Sequence, residues 1–246
     1  NASGHEIAMS EYIIGCIISL SIDLLANHND FKSGSWEKTG TLSDPKSMHG
    51  EVFGKVLGII GYGQIGIETA IRAKSLGMKT YGINRTEKKN TSQYLDWHGS
   101  SGELDFILKE SDYLVLACDL NESTKGLINK RTLSIMKKTA YLINVARGDI
   151  CVEEDLFNSL KNKNIAGAAI DTWWIYPDRP KKGDKAEKAP RPSDYPFHKL
   201  DNVIMTPHNS AHTLEADLRR SKSILHNLLD FKKGKKPSGF VFYGNK

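Results

Sequence analysis

The stretch Lys55-Val-Leu-Gly-Ile-Ile-Gly-Tyr-Gly-Gln-Ile-Gly66 decides the fold. Lys55 to Ile60 is a short apolar run of the kind that forms a buried strand. It runs straight into Gly61-x-Gly63-x-x-Gly66. Ile67 to Leu76 then has helical spacing and ends at Gly77, a natural C-cap, and Lys79 to Ile83 reads as a second strand. A glycine triplet alone is a weak signal. Between a strand and a helix it becomes the phosphate turn of a dinucleotide-binding βαβ unit. Gly61 permits the tight turn, Gly63 lets the backbone approach a pyrophosphate, and Gly66 lets helix and strand pack closely. The amides opening the helix, at Gln64, Ile65 and Gly66, offer free N–H groups and the positive dipole end to the phosphates.

Outward from this unit the alternation continues. Ser101 to Glu110, Asn129 to Met136 and Val152 to Lys161 read as helices. Tyr113 to Ala117, Thr139 to Asn144, Ile165 to Ile170 and Val203 to Thr206 read as strands. Such an order predicts an α/β fold with a doubly wound parallel sheet, of Rossmann type. Upstream, Ile7 to Ala26 has apolar residues at helical spacing and is read as one long helix. Residues 27–50 are rich in Asn, Asp, Gly, Ser and Lys and read as loop. Thr213 to Phe231 predicts a closing helix with a basic tail. The Pro- and Lys-rich stretch 178–192 reads as a solvated loop. The expected organisation is a linker helix and loop over 1–50, a dinucleotide-binding domain over 51–212, and a return helix over 213–246.

The residue ending the second strand chooses the cofactor. An acidic residue there, roughly 20 positions beyond the glycines, receives the ribose 2′-OH of NAD. This chain has Asn84, followed by Arg85 and Thr86. Asn84 does not repel a 2′-phosphate, and Arg85 can pair with one through charge-assisted hydrogen bonds. The reading is therefore NADP(H) in preference to NAD(H), with NAD(H) as the alternative.

Bulk properties narrow the class. The chain has 246 residues, 39% of them hydrophobic, enough for a sizeable core. A formal charge of +5 suits an anionic ligand and gives no argument for nucleic acid. No run reaches the about 18 apolar residues of a membrane span. Cys16, Cys118 and Cys151 are scattered and form no C-x-x-C pair, which points to a reducing, cytoplasmic compartment. No metal site is expected.

Several stretches together resemble the D-isomer-specific 2-hydroxyacid dehydrogenase family. They are Gly58-Ile-Ile-Gly-Tyr-Gly-Gln-Ile-Gly66, Asn121-Glu-Ser-Thr-Lys-Gly-Leu-Ile128, Leu142-Ile-Asn-Val-Ala-Arg-Gly148, Ala166-Gly-Ala-Ala-Ile-Asp171 and Thr206-Pro-His208. They follow the family's order. The resemblance implies a two-domain enzyme acting on a small 2-oxo or 2-hydroxy acid, with a homodimer built around the helix over residues 7–26 and the cofactor domain. It implies that Arg147 binds the substrate carboxylate and polarises the carbonyl. His208 is the acid that protonates the carbonyl oxygen. Asp171 is the residue that holds the nicotinamide carboxamide. Thr124, the Cys118-Asp119 turn and Val145 are implied to line the cofactor.

Two departures stand out. The family's catalytic Glu is replaced by Tyr176, in Asp171-Thr-Trp-Trp-Ile-Tyr-Pro177. A carboxylate beside His raises its pKa, whereas a phenol supplies no charge at neutral pH. Tyr176 is expected to hydrogen-bond His208 and leave its pKa low. Trp173 and Trp174 are expected to pack. The family also has a substrate-domain segment ahead of the point matched by Asn1, so only remnants of the second, substrate domain are expected here. The leading expectation is reduction of glyoxylate, hydroxypyruvate or a similar 2-oxo acid. Formate-dehydrogenase-like activity and a catalytically dead dinucleotide sensor remain as alternatives.

Overall fold

The computed structural model describes residues 4–35, 48–85, 93–177 and 191–237. Short aliphatic runs form β1 (Val56–Ile60), β2 (Lys79–Asn84), β4 (Tyr113–Leu116), β5 (Tyr141–Asn144), β6 (Gly167–Ile170) and β7 (Val203–Met205), and β3 is Trp97–Ser100. All pair in parallel in one seven-stranded sheet, in the order β3-β2-β1-β4-β5-β6-β7. The order reverses between β1 and β4. At such a switch point the connections leave on opposite faces of the sheet.

The helices are α1 (Glu6–Ser21), α2 (Leu24–Lys32), α3 (Gln64–Ser75), α4 (Leu104–Glu110), α5 (Lys130–Ile135), α6 (Glu153–Lys161) and α7 (Leu214–Lys232). Because strand side chains alternate between faces, the sheet feeds two cores. Leu57, Ile59, Val115, Ile143, Val145 and Ala169 pack against Ile13, Cys16 and Ile17 of α1 and Ala70 and Ala73 of α3. Ile60, Leu114, Leu116, Leu142, Ala168 and Ile170 pack on the other face against Ile107 and Leu108 of α4 and Leu156 and Leu160 of α6. Every residue of β1, β4 and β6 is buried, as a parallel sheet covered on both sides requires. Gly58 in β1 sits so close to Ser111, just past α4, that a Cβ would collide with its hydroxyl.

Two expectations need correction. The segment from Ile7 to Ala26 is not one helix. Asp23 takes a left-handed conformation (φ 52°), and α2 leaves α1 at 62°. Asp tolerates that conformation better than most residues, and the Asn27 side chain donates to the freed Ile22 carbonyl. α2 therefore occupies part of the stretch read as loop. No single described helix is long and apolar enough to cross a membrane. Strand β3 was not foreseen. His98, Gly99 and Ser100 carry no alternating apolar signal, and the strand is held at the sheet edge by Trp97 packing against Phe106, with ring centroids 4.5 Å apart.

The apolar face of α1 is covered within the chain, since Ile13 and Ile17 are fully buried. A bare apolar stripe lies instead on α7, where Leu214, Leu218, Leu225 and Leu228 are 80%, 62%, 56% and 61% exposed.

Candidate functional site

The sequence-predicted residues gather along the carboxyl ends of six adjacent strands. Gly61 follows β1, Asn84 ends β2, Cys118 follows β4, Arg147 follows β5, Asp171 follows β6 and His208 follows β7.

Gly61 has φ 96°, and a Cβ there would lie 2.5 Å from the Cys118 nitrogen. The glycine is obligatory on both counts. It lets the β1 turn nest against the turn after β4. Gly66 is less tightly confined, 3.0 Å from the Gly61 carbonyl by the same construction, and lets α3 sit close against β1. Gly63 differs. Nothing lies within 4 Å of where its Cβ would be, so the backbone faces open space. Gly63 caps α3, and the first-turn amides of Gln64, Ile65 and Gly66 have no intrahelical acceptor. A pyrophosphate fits this cradle.

At the end of β2, the Asn84 side chain donates to the Tyr62 carbonyl at 3.3 Å and lies 3.5 Å from the His98 ring. Arg85 is exposed, with no described carboxylate paired to it. Thr86 lies outside the described residues. After β4, the Thr124 hydroxyl donates to the Asp119 carbonyl (2.6 Å) and accepts from the Asn121 amide (2.8 Å), so Thr124 shapes the Cys118-Asp119 turn. Burial pushes the Cys118 thiol up to about 11.

The turn after β5 is built by Asn144. Its amide donates to the Arg147 carbonyl at 3.0 Å, and its oxygen accepts from the Ala146 amide at 3.1 Å. Val145 is buried in this turn, while Arg147 is exposed. Gly148 meets the Trp173 carbonyl so closely that any side chain would collide.

Asp171 is fully buried. Its carboxylate accepts from the Thr206 hydroxyl (2.6 Å), the Asn209 amide (2.9 Å) and the Ser210 amide (3.0 Å). Burial raises its pKa, but the hydrogen bonds from Ser210, Thr206 and Asn209 outweigh burial and hold it below the ordinary carboxylate value. His208 lies inside this loop of bonds with φ 58°, a left-handed backbone that costs a non-glycine residue about 1–2 kcal/mol. Burial lowers the His208 pKa. Asp171 pulls it up, Arg147 and His212 push it down, and the net direction is down.

Tyr176 does not bond His208. Its hydroxyl accepts from the Trp173 amide at 3.0 Å, and its ring sits against the imidazole with centroids 5.5 Å apart. The sharp turn after β6 brings the phenol back to its own backbone before it can reach the imidazole nitrogen. Trp173 donates to the Thr206 carbonyl (2.8 Å) and Trp174 to the Cys151 carbonyl (3.0 Å), and the Trp174 ring stacks on Phe197.

A family model described as "D-isomer specific 2-hydroxyacid dehydrogenase, NAD binding domain" matches residues 14–210. The chain belongs to this family. It is 37% identical over 211 residues to a glyoxylate reductase of Pyrococcus horikoshii and 32% identical over 235 residues to one of Pyrococcus furiosus. Those matches take in 85% and 95% of this chain, but only 58% and 65% of the relatives' own length. Among solved structures, an acyclic imino acid reductase in complex with NADPH and D-Arg superposes with a TM-score of 0.79 at 26% identity, covering 97% of this chain and 69% of that one.

Within this 2-hydroxyacid dehydrogenase fold, sequence reasoning overlooked Asn144, Thr206, Asn209, Ser210 and Tyr12. Thr206 and Asn144 stood inside quoted motifs, yet their side-chain roles follow only from the bonds above. Asp171 generates a test. A carboxyl whose pKa falls on folding stabilises above its unfolded value of about 4, and that stability is lost as pH falls through the folded value. Asp171→Asn should therefore cost about 1.5–3 kcal/mol at neutral pH and much less once the pH has fallen through the folded-state pKa. Urea unfolding across that range checks both. An equal cost at the two pH values would remove the charge from the explanation.

Proposed function

We propose that the chain is the cofactor-binding part of an NADP(H)-dependent oxidoreductase. In this reading it reduces a small 2-oxo acid, of the glyoxylate or hydroxypyruvate type, to the D-2-hydroxy acid. The observation that carries the reading is His208. Its left-handed backbone is flanked by the Thr206, Asn209 and Ser210 bonds to Asp171, and it lies close enough to Arg147 to feel its charge, on the same sheet edge as the open Gly63 turn. Strain of this kind persists where the surroundings over-determine it, and it clusters at functional sites.

The residues at that edge fit a nicotinamide dinucleotide. Gly61, Gly63, Gln64, Ile65 and Gly66 would hold the pyrophosphate, with Val145, Thr124 and the Cys118-Asp119 turn along the cofactor's path. The family likeness assigns the nicotinamide carboxamide to Asp171, whose buried carboxylate is already engaged by Thr206, Asn209 and Ser210. When bound, the reduced nicotinamide supplies a hydride to the carbonyl carbon. Arg147 binds the substrate carboxylate and draws charge toward the carbonyl oxygen. An imidazolium N–H of His208 gives that oxygen its proton, leaving neutral imidazole. Tyr176 walls the imidazole without charging it. The named homologues act as glyoxylate reductases, which supports the substrate class. The family description names NAD while the solved relative holds NADPH. The choice of NADP(H) therefore rests on Asn84 and on the exposed Arg85. A homodimer is proposed on the family likeness alone, because the apolar face of α1 is covered by its own chain.

The experiment is oxidation of NADPH and NADH by the protein at its natural length, with glyoxylate and hydroxypyruvate. Turnover should fall by at least about 100-fold in Arg147→Ala. Tight cofactor binding without turnover would replace the enzyme by a dinucleotide sensor. Reduction should lose rate as pH rises through a midpoint below the ordinary histidine value of about 6.5, because protonated His208 is the acid. Tyr176→Glu should move that midpoint upward, and an unmoved midpoint would separate His208 from the limb. Arg85→Ala should weaken NADPH about 10- to 100-fold with NADH nearly unchanged, as loss of a charge-assisted pair predicts. Equal weakening of both would place Arg85 away from the 2′-phosphate.

A further inference from the structure

We infer that Tyr12, on α1, is a positioning residue for His208, acting through a directed hydrogen-bond relay from Tyr12 to Thr206 to Asp171. The word positioning rests on the acid role proposed for His208, but the relay itself stands on geometry. The Tyr12 hydroxyl lies 2.6 Å from the Thr206 hydroxyl, and the Thr206 hydroxyl lies 2.6 Å from the Asp171 carboxylate.

The direction of the relay follows from proton counting. An ionised carboxylate only accepts, and a threonine hydroxyl has a single proton to give. Asp171 is fully buried, and its hydrogen bonds favour the ionised form. The Thr206 proton therefore goes to Asp171, and Tyr12 must be the donor to Thr206. Burial, above all, pushes the Tyr12 pKa well above its ordinary value, so the phenol keeps its proton at every working pH.

The relay holds both flanks of His208. Upstream, Thr206 is bound through its hydroxyl by Tyr12 and Asp171, through its carbonyl by the Trp173 indole, and through its amide by the Ile170 carbonyl. Downstream, the Asn209 and Ser210 amides close on the same carboxylate. The left-handed His208 lies between the two anchors. Tyr12 is the member that comes from outside the β6–β7 edge. It stands one turn before Cys16 on α1, whose neighbours Ile13 and Ile17 are fully buried against the sheet. No motif in the sequence marks this tyrosine, because its partner lies 194 residues away.

Tyr12→Phe keeps the ring and removes the hydroxyl, which faces the Cys16 thiol as well as Thr206. The groups facing His208 are Asp171, Arg147 and His212, with the Tyr176 ring against it, and none is altered by this change. We expect kcat to fall about tenfold, with KM and the nicotinamide cofactor Kd within about twofold, the size of effect a small misplacement of a reacting group produces. A loosened turn admits water, so the His208 titration midpoint, read by imidazole NMR, should rise toward the ordinary value. Thr206→Val removes the acceptor. In that background Tyr12→Phe should add nothing, whereas a packing role would make the two changes additive. Thr206→Ser, which retains the hydroxyl, should restore the wild-type midpoint. An unchanged midpoint in folded Tyr12→Phe, or additive effects in the double variant, overturns the relay. The NMR midpoints are read without turnover. An inactive wild-type protein with these midpoint shifts would retire the proposed function and keep the relay. An active one without them would do the reverse.

Discussion

The buried Asp171 carboxylate, with its three incoming hydrogen bonds, is the interaction on which the rest of the site depends. A charge taken out of water costs several kcal/mol unless its lone pairs are met. The chain meets them with Thr206, Asn209 and Ser210, all from the single turn after β7. That turn has no freedom to open without leaving a charge unsatisfied. The backbone of His208, caught between the bonded residues, takes a conformation that its own sequence would not choose. Through Thr206 the same carboxylate reaches Tyr12 on α1, and through the Thr206 carbonyl it is linked to Trp173. One ionised group thereby joins two strand ends and a helix.

The parallel sheet supplies the frame for that interaction. Six strands end at one edge, so residues far apart in sequence become neighbours in a row. The row is ordered from the Asn84 and Arg85 end, past the glycine turn, to Arg147, Asp171 and His208. Two glycines keep adjacent loops in contact along it. Gly61 lets the β1 turn meet Cys118, and Gly148 lets the β5 turn meet Trp173. Any side chain at these positions would push the loops apart and widen the row. Distances across the site are thus governed by backbone contacts, which tolerate little change.

Tyr176 changes the electrostatics of this arrangement and leaves its frame intact. Burial, Arg147 and His212 together hold the imidazole below its ordinary pKa against the pull of Asp171. The phenol, turned to the Trp173 amide, adds a wall and no charge. A histidine acid in this setting works best at a lower pH than one paired to a carboxylate.

Much of this was legible in the chain. The glycine spacing, the aliphatic runs and their alternation with helices follow from local chemistry, since a buried strand must be apolar and a phosphate turn must lack side chains. Those features determined the α/β class, most of the strands and the glycine turn at Gly61, whereas Arg147, Asp171 and His208 were singled out only by the family resemblance. Local chemistry failed where the deciding energy was not local. β3 forms because an edge pairing and the Trp97–Phe106 contact override a weak strand signal. The helix over residues 7–26 breaks because a left-handed Asp23 lets α2 turn away, which periodicity does not encode. The Tyr176 hydroxyl was read toward His208 and lies on the Trp173 amide, because its direction follows from a turn three residues long. Tyr12 has no signature at all. Sequence by itself determined the apolar strand runs and the glycine turn. Tertiary structure alone decided which site residues touch, because a buried charge draws its partners from wherever the fold brings donors.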